Sequence, residues 1–127
     1  MGVIFKWFKS FSVIEHDSTG WFQDNYYEVR FLGGDSTSHS YGNRSLLQDL
    51  FETHLGIQIP TDTYDCFYEN PTEFYNNLLI QPSEMSKYCK TILDYSNHGV
   101  NLYGMEDRIL WIKSLSDQGF YVMYDML

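Results

Sequence analysis

The sequence predicts an α+β domain, a small antiparallel sheet packed against three or four helices, and three observations carry that expectation. Residues 3–14 and 26–32 are rich in aromatic and β-branched types, which fit a pleated, half-buried surface. From Leu46 to Leu115 apolar residues recur at helical spacing in several blocks, the mark of helices with one buried face. The chain then passes through Gly119 into a short aromatic and aliphatic run, residues 120–124, which predicts a last strand that rejoins the sheet. At 127 residues the chain has the commonest size for one domain with one core, so residues 1–127 are read as a single globular unit.

The elements follow in order. His16-Asp17-Ser18-Thr19-Gly20 is turn-forming and lies between the two strand-like segments, as in a hairpin. Gly33-Gly34-Asp35-Ser36-Thr37-Ser38-His39-Ser40 has no apolar residue and four hydroxyls, so it is expected to be a long surface loop. No Lys-Ser/Thr pair completes a phosphate-binding motif after its glycines. Leu46, Leu47, Leu50, Phe51 and Leu55 then form a helical stripe, with Asn43 or Ser45 as N-cap and Gly56 at the C-terminal release. Asn70-Pro71-Thr72-Glu73 reads as a second helix start, with Phe74, Leu78 and Leu79 inward and Pro82 as its end. Met85, Tyr88, Cys89 and Ile92 mark a third helix beginning at Ser83-Glu84. A fourth runs from Glu106 to Gln118; its Met105, Ile109, Ile112 and Leu115 face one way, and Leu110 and Trp111 widen the apolar sector enough to predict cover on two sides.

Charge is distributed unevenly along this frame. The net charge is −9, and no lysine or arginine stands between Ser45 and Ser86, where Asp49, Glu52, Asp62, Asp65, Glu69, Glu73 and Glu84 alternate with Tyr64, Phe67, Tyr68, Phe74 and Tyr75. Such a field repels phosphate and anionic membrane surfaces and attracts a basic protein; the alternative is a solvated acidic face. With 43% hydrophobic and 18% aromatic residues the chain is too apolar for a disordered acidic tail. Alternation of lysines with apolar residues in the first nine positions does not fit a signal peptide, and no run approaches the ~18 apolar residues of a membrane span. Cys66 and Cys89 lack framework or metal-ligand spacing and are read as reduced thiols of a cytoplasmic protein.

Catalysis and cofactor binding find little support. His16, His39, His54 and His98 are scattered, with no His-x-x-x-His or Cys-x-x-Cys spacing, so no metal or cofactor is expected. His16 and Asp17 with Glu28, or Asp35 with His39, are the pairs a hairpin or loop would have to bring together as acid and base. Cys66 lies beside Asp65, among acids that oppose thiolate formation. A small enzyme or ligand-binding domain therefore stands only as a further alternative, favoured by a deep pocket that holds at least two of His16, Glu28, Asp35 and His39.

The segment 107–125, Asp-Arg-Ile-Leu-Trp-Ile-Lys-Ser-Leu-Ser-Asp-Gln-Gly-Phe-Tyr-Val-Met-Tyr-Asp, resembles the closing helix, glycine and strand of small cytosolic immunity proteins from bacterial toxin systems, including contact-dependent inhibition. The resemblance covers about a sixth of the chain. It implies a non-catalytic inhibitor that binds a toxin domain, often a basic nuclease, and carries over no functional residues. Read with the charge pattern, the expected function is an acidic inhibitor that covers the functional cleft of a basic partner, without direct nucleic-acid or membrane binding. A phage-encoded inhibitor of a host nucleic-acid-targeting defence is the alternative that uses the same physics. Asp62, Tyr64, Asp65, Tyr68, Glu69 and Glu73, on and beside the turn-prone connection Pro60–Asn70, are the expected partner-binding residues: carboxylates to pair with Lys or Arg, tyrosines to anchor.

Overall fold

In the computed structural model, residues 2–17, 26–62, 67–68 and 79–126 are described. Strands β1 (Gly2–Phe8), β2 (Ser10–His16), β3 (Tyr26–Leu32) and β4 (Asp35–Ser40) come first. They are followed by helix α1 (Tyr41–Leu55), the two-residue strands β5 (Thr61–Asp62) and β6 (Phe67–Tyr68), helices α2 (Pro82–Asn97) and α3 (Glu106–Asp117), and strand β7 (Tyr121–Met126). One sheet has the order β4-β1-β7-β5, antiparallel except for the β5–β7 pair; the other has the order β2-β3-β6. The expected α+β architecture is the one observed: a hairpin, helices, and a C-terminal strand added to the sheet.

The first four strands make one bent ribbon. Trp7 faces Asp35 on one side of the bend and Ser10 faces Leu32 on the other, so two residues, Phe8 and Lys9, oppose two, Gly33 and Gly34, and no register is lost. The chain expected as one strand over 3–14 is thus two, breaking at Lys9, and each half joins a different sheet. The bend needs glycine. A Cβ on Gly34 would stand 1.6 Å from the carbonyl oxygen of Trp7, and Gly33 has φ +73°. Lys9 holds the outer side of the bend: its ammonium donates to the carbonyl of Gln118 and lies 4.1 Å from the ring centroid of Phe120, at the carbonyl end of α3 where a cation is favoured.

The expected loop over 33–40 is corrected by this ribbon. Residues 35–40 form strand β4, an edge strand with β1 as its neighbour. An edge strand needs backbone partners and no apolar side chains, and the unbroken hairpin register supplies those partners.

Alternation then sorts β1 between two apolar clusters. Phe5 and Trp7 face the helices, where Leu47, Leu50, Phe51, Met85, Cys89, Ile92, Leu102, Ile109 and Ile112 complete the main core, while Phe8 joins Met123, Phe11, Phe31, Leu79 and Tyr121 in the second. Trp111 of α3 meets Phe5 and Trp7 edge-on, each at 5.4 Å between centroids, a favoured aromatic geometry. Leu110, expected to help cover α3 on a second side, is 50% exposed; the apolar sector of α3 is buried on one side.

Local signals set the helix ends. Pro82 is the first residue of α2, not the end of a helix before it: its missing N–H costs nothing there and its φ is preset. Both α2 and α3 end in the same glycine motif. Gly99 and Val100 donate to the carbonyls of Ser96 and Tyr95, and Gly119 and Phe120 to those of Ser116 and Leu115, satisfying the last carbonyls as a left-handed glycine permits. Gly56, with φ +67°, closes α1 as expected. Beyond it, the Gln48 side chain bonds Ile59 in both directions, donating to its carbonyl at 2.7 Å and accepting from its N–H at 2.9 Å, which docks the chain onto α1 before β5. Cys89 is fully buried, and burial pushes its thiol up to about 12, so it behaves as an inert apolar residue. The helix expected from Asn70, and Cys66, lie outside the described residues.

Candidate functional site

Of the six residues expected to bind a partner, Tyr64, Asp65, Glu69 and Glu73 lie outside the described residues. Asp62 falls in β5, opposite Asp125 of β7 at one edge of the first sheet, and Tyr68 in β6, opposite Tyr27 at an edge of the second. The connection expected to be a plain turn therefore contributes an edge strand to each sheet.

A second acidic and aromatic surface joins Asp49 and Glu52 of the acidic block to Tyr103, which lies outside it. Helix α1 buries Leu47, Leu50 and Phe51 and turns Asp49, Glu52 and Thr53 to solvent. Where α1 passes the connection between α2 and α3, a groove of about 390 Å³ opens; buried Leu50 and half-buried Val100 and His54 line it together with exposed Asp49, Thr53 and Tyr103. The His54 ring lies 6.0 Å from that of Tyr95 on α2. Among the described residues no lysine or arginine lines the groove.

Tyr103 is held in an unusual way. Its φ is +54°, making it the one non-glycine residue with positive φ among those described, and its side chain is 64% exposed. Its N–H donates to Asn101 Oδ1 at 2.8 Å, and Met105 N–H closes the turn on the Leu102 carbonyl. A left-handed conformation costs a bulky residue about 1–2 kcal/mol, which glycine would avoid. The ring returns little by burial, and among the described residues its hydroxyl has no partner. Strain of this sort is tolerated where a side chain is wanted outside the fold. The sequence signal for the turn was Asn101 followed by Gly104, an Asx-type pattern; nothing in it revealed the groove.

Of the pairs considered for acid–base chemistry, the hairpin brings His16 and Glu28 together, while the His39 side chain lies outside the described residues. His16 Nε2 lies 2.9 Å from Glu28 Oε1, a diagonal pair across β2 and β3, and Arg30 Nε donates to the other Glu28 oxygen at 3.3 Å. Asp35 instead lines a cleft of about 500 Å³ at the ribbon bend, with Lys6, Arg30, Phe31 and Leu32. That cleft carries both signs of charge: Lys6 sits 4.7 Å from the Phe31 ring centroid, and Arg30 is bound to Glu28. Among the described residues it holds Asp35 but neither His16 nor Glu28. Among the described residues no group of three His, Cys, Asp or Glu is placed to hold a metal ion, and no helix is long and apolar enough to cross a membrane.

The Glu28 carboxyl is held below its ordinary range, first by the hydrogen bond with His16 and next by that from Arg30. A depressed carboxyl contributes stability above its unfolded pKa, about 4.5, and loses it as pH falls through the lower folded value. Asp117, lowered by Lys113 and Ser86, acts in the same window, so the comparison must be between proteins. Glu28→Gln is expected to flatten the loss of melting temperature below about pH 4.5 relative to the parent. Parallel curves for the two proteins would show that the His16–Glu28–Arg30 cluster contributes nothing to stability.

Compared with known protein families, curated proteins and solved structures, the chain matches none. The functional reading accordingly rests on the chain's own charge and geometry.

Proposed function

We propose that this chain is a non-catalytic acidic inhibitor, of the immunity-protein kind, that neutralises a basic toxin domain by covering its functional cleft. One observation carries the reading: a net charge of −9 with no lysine or arginine from Ser45 to Ser86, a block in which Asp49, Glu52 and Glu84 stand exposed, the first two on α1 beside a groove. Carboxylates so placed draw in a cationic surface and deny it phosphate. Leu47, Leu50 and Phe51, buried in the main core, hold that face of α1 in place.

Co-expression tests the proposal. A basic toxin domain encoded beside this chain, induced alone, should arrest growth, and joint induction should restore it with a stable complex recovered. Growth arrest that persists on joint induction overturns the reading. In the purified complex, raising ionic strength from about 0.01 to about 0.15 M shortens the screening length from about 30 to about 8 Å. Association is expected to slow at least about tenfold while dissociation changes by less than about twofold. An association rate insensitive to salt removes the electrostatic basis of the proposal.

A further inference from the structure

We infer that the groove between α1 and the α2–α3 connection receives an arginine side chain of the basic partner, with Asp49 as its ion-pairing group and Tyr103 as its stacking face. The inference deepens the inhibitor reading and rests on it. Charge complementarity selects the occupant. Asp49 lines the groove, Glu52 is exposed about one helical turn further along α1, and among the described residues no lysine or arginine lines the opening. Among the described residues Asp49 has no ion-pair partner of its own, so an incoming cation displaces nothing.

Ring and acid together favour guanidinium over ammonium. A planar guanidinium forms two parallel bonds to one carboxylate and stacks on an aromatic face, whereas lysine offers a compact, strongly hydrated point charge. Tyr103 is suited to the stacking role: it stands 64% exposed on a turn whose N–H is fixed by Asn101, and tyrosine anchors bury large area with few rotors to freeze. The volume of about 390 Å³ is that of a side-chain seat and falls at the low end of small-molecule pockets. Leu50 and Val100, the apolar side chains of the groove beside Leu46, can cover the aliphatic stem of the arginine while its head pairs with Asp49.

The probe is a capped peptide with one arginine flanked by glycines, titrated into the full chain by amide NMR against the same peptide carrying citrulline. Arginine-dependent shifts should concentrate on Asp49, Thr53, Asn101 and Tyr103, and the citrulline peptide should bind at least about tenfold more weakly. Asp49→Asn and Tyr103→Gly should each weaken the arginine peptide by at least about fivefold. Tyr103→Gly should melt no lower than the parent, since glycine adopts φ +54° without strain, which separates loss of the anchor from loss of the fold. Shifts spread equally over Glu84, Asp94 and Glu106, or unchanged affinity in both variants, overturn the groove assignment. If the Asp49→Asn, Tyr103→Gly double variant still rescues growth, the inhibitor reading survives and the groove is not its interface. If the groove binds arginine but the parent rescues nothing, the groove stands and the inhibitor reading falls.

Discussion

Replacing Gly34 by alanine is expected to destabilise the protein by about 3 kcal/mol and lower its melting temperature by roughly 10 °C. The added methyl would lie 1.6 Å from the Trp7 carbonyl oxygen, 2.5 Å from the Trp7 carbonyl carbon and 2.6 Å from the Phe8 Cα. These are backbone atoms of the opposite strand, so no rotamer change can relieve the overlap and the two strands must part at the bend. Gly33→Ala provides the control. Its Cβ would meet the Lys9 side chain at 3.2 Å, a flexible neighbour, and its φ of +73° adds only the ordinary cost of a left-handed alanine, about 1 kcal/mol. Thermal melts of the two variants should therefore separate clearly, with Gly34→Ala far lower. Equal melting temperatures would mean that the ribbon does not cross itself as closely as the structure shows.

That glycine pair shows where the sequence was legible and where it was not. Gly33-Gly34 followed by six residues without an apolar side chain reads as a loop, because apolar patterning is the main strand signal. The fold instead uses them as a crossing and an edge strand, and the information lies in residues 2–8 on the far side of the hairpin. Patterning succeeded where burial is one-sided and local. Met85, Cys89 and Ile92, and Ile109, Ile112 and Leu115, are buried as their spacing predicts, and Gly56 and Gly119 end their helices. It failed for Leu110, whose exposure depends on what the tertiary arrangement leaves uncovered. Pro82 was read as a stop when it is a start, an ambiguity inherent in proline at a helix boundary.

The candidate site followed the same division. The charge asymmetry was visible from composition, and Asp49 and Glu52 belong to the block it defines. Choosing residues 62–73 within that block rested on turn chemistry, which does not say which distant segment will face an acid. The groove is made by Asp49, Thr53 and His54 from one helix and Tyr103 from a connection some fifty residues on, a proximity created by the packing of α1 against α2. The acidic half of the surface is thus legible in one dimension, and its aromatic half only in three.

Truncating Phe5 should give the largest loss, about 4 kcal/mol and roughly 15 °C in melting temperature, a large share of the 5–15 kcal/mol that folds a typical domain. Phe5 is fully buried at the centre of the main core, meets Trp111 edge-on at 5.4 Å, and has the Arg108 guanidinium 5.4 Å from its ring centroid. Alanine there removes apolar burial, an aromatic pair and a cation–π contact, and leaves a void between sheet and helices that a β-strand cannot easily close. Phe8, three residues on, lies on the other face of the same strand, against Phe31 at 4.5 Å and Tyr121 at 5.3 Å. Its ring ties β3 of the second sheet to β7 of the first. Phe8→Ala is expected to cost about 3 kcal/mol, with a different signature. Hydrogen exchange should quicken first at amides of β2 and β3 while α2 and α3 keep their protection, because the second cluster can open without the main core. In Phe5→Ala, protection should fall throughout the sheet and helices together. If Phe8→Ala loosens α2 and α3 as much as β2 and β3, the two clusters form one cooperative unit, and the bend at Lys9 and Gly34 does not divide the stability of the fold.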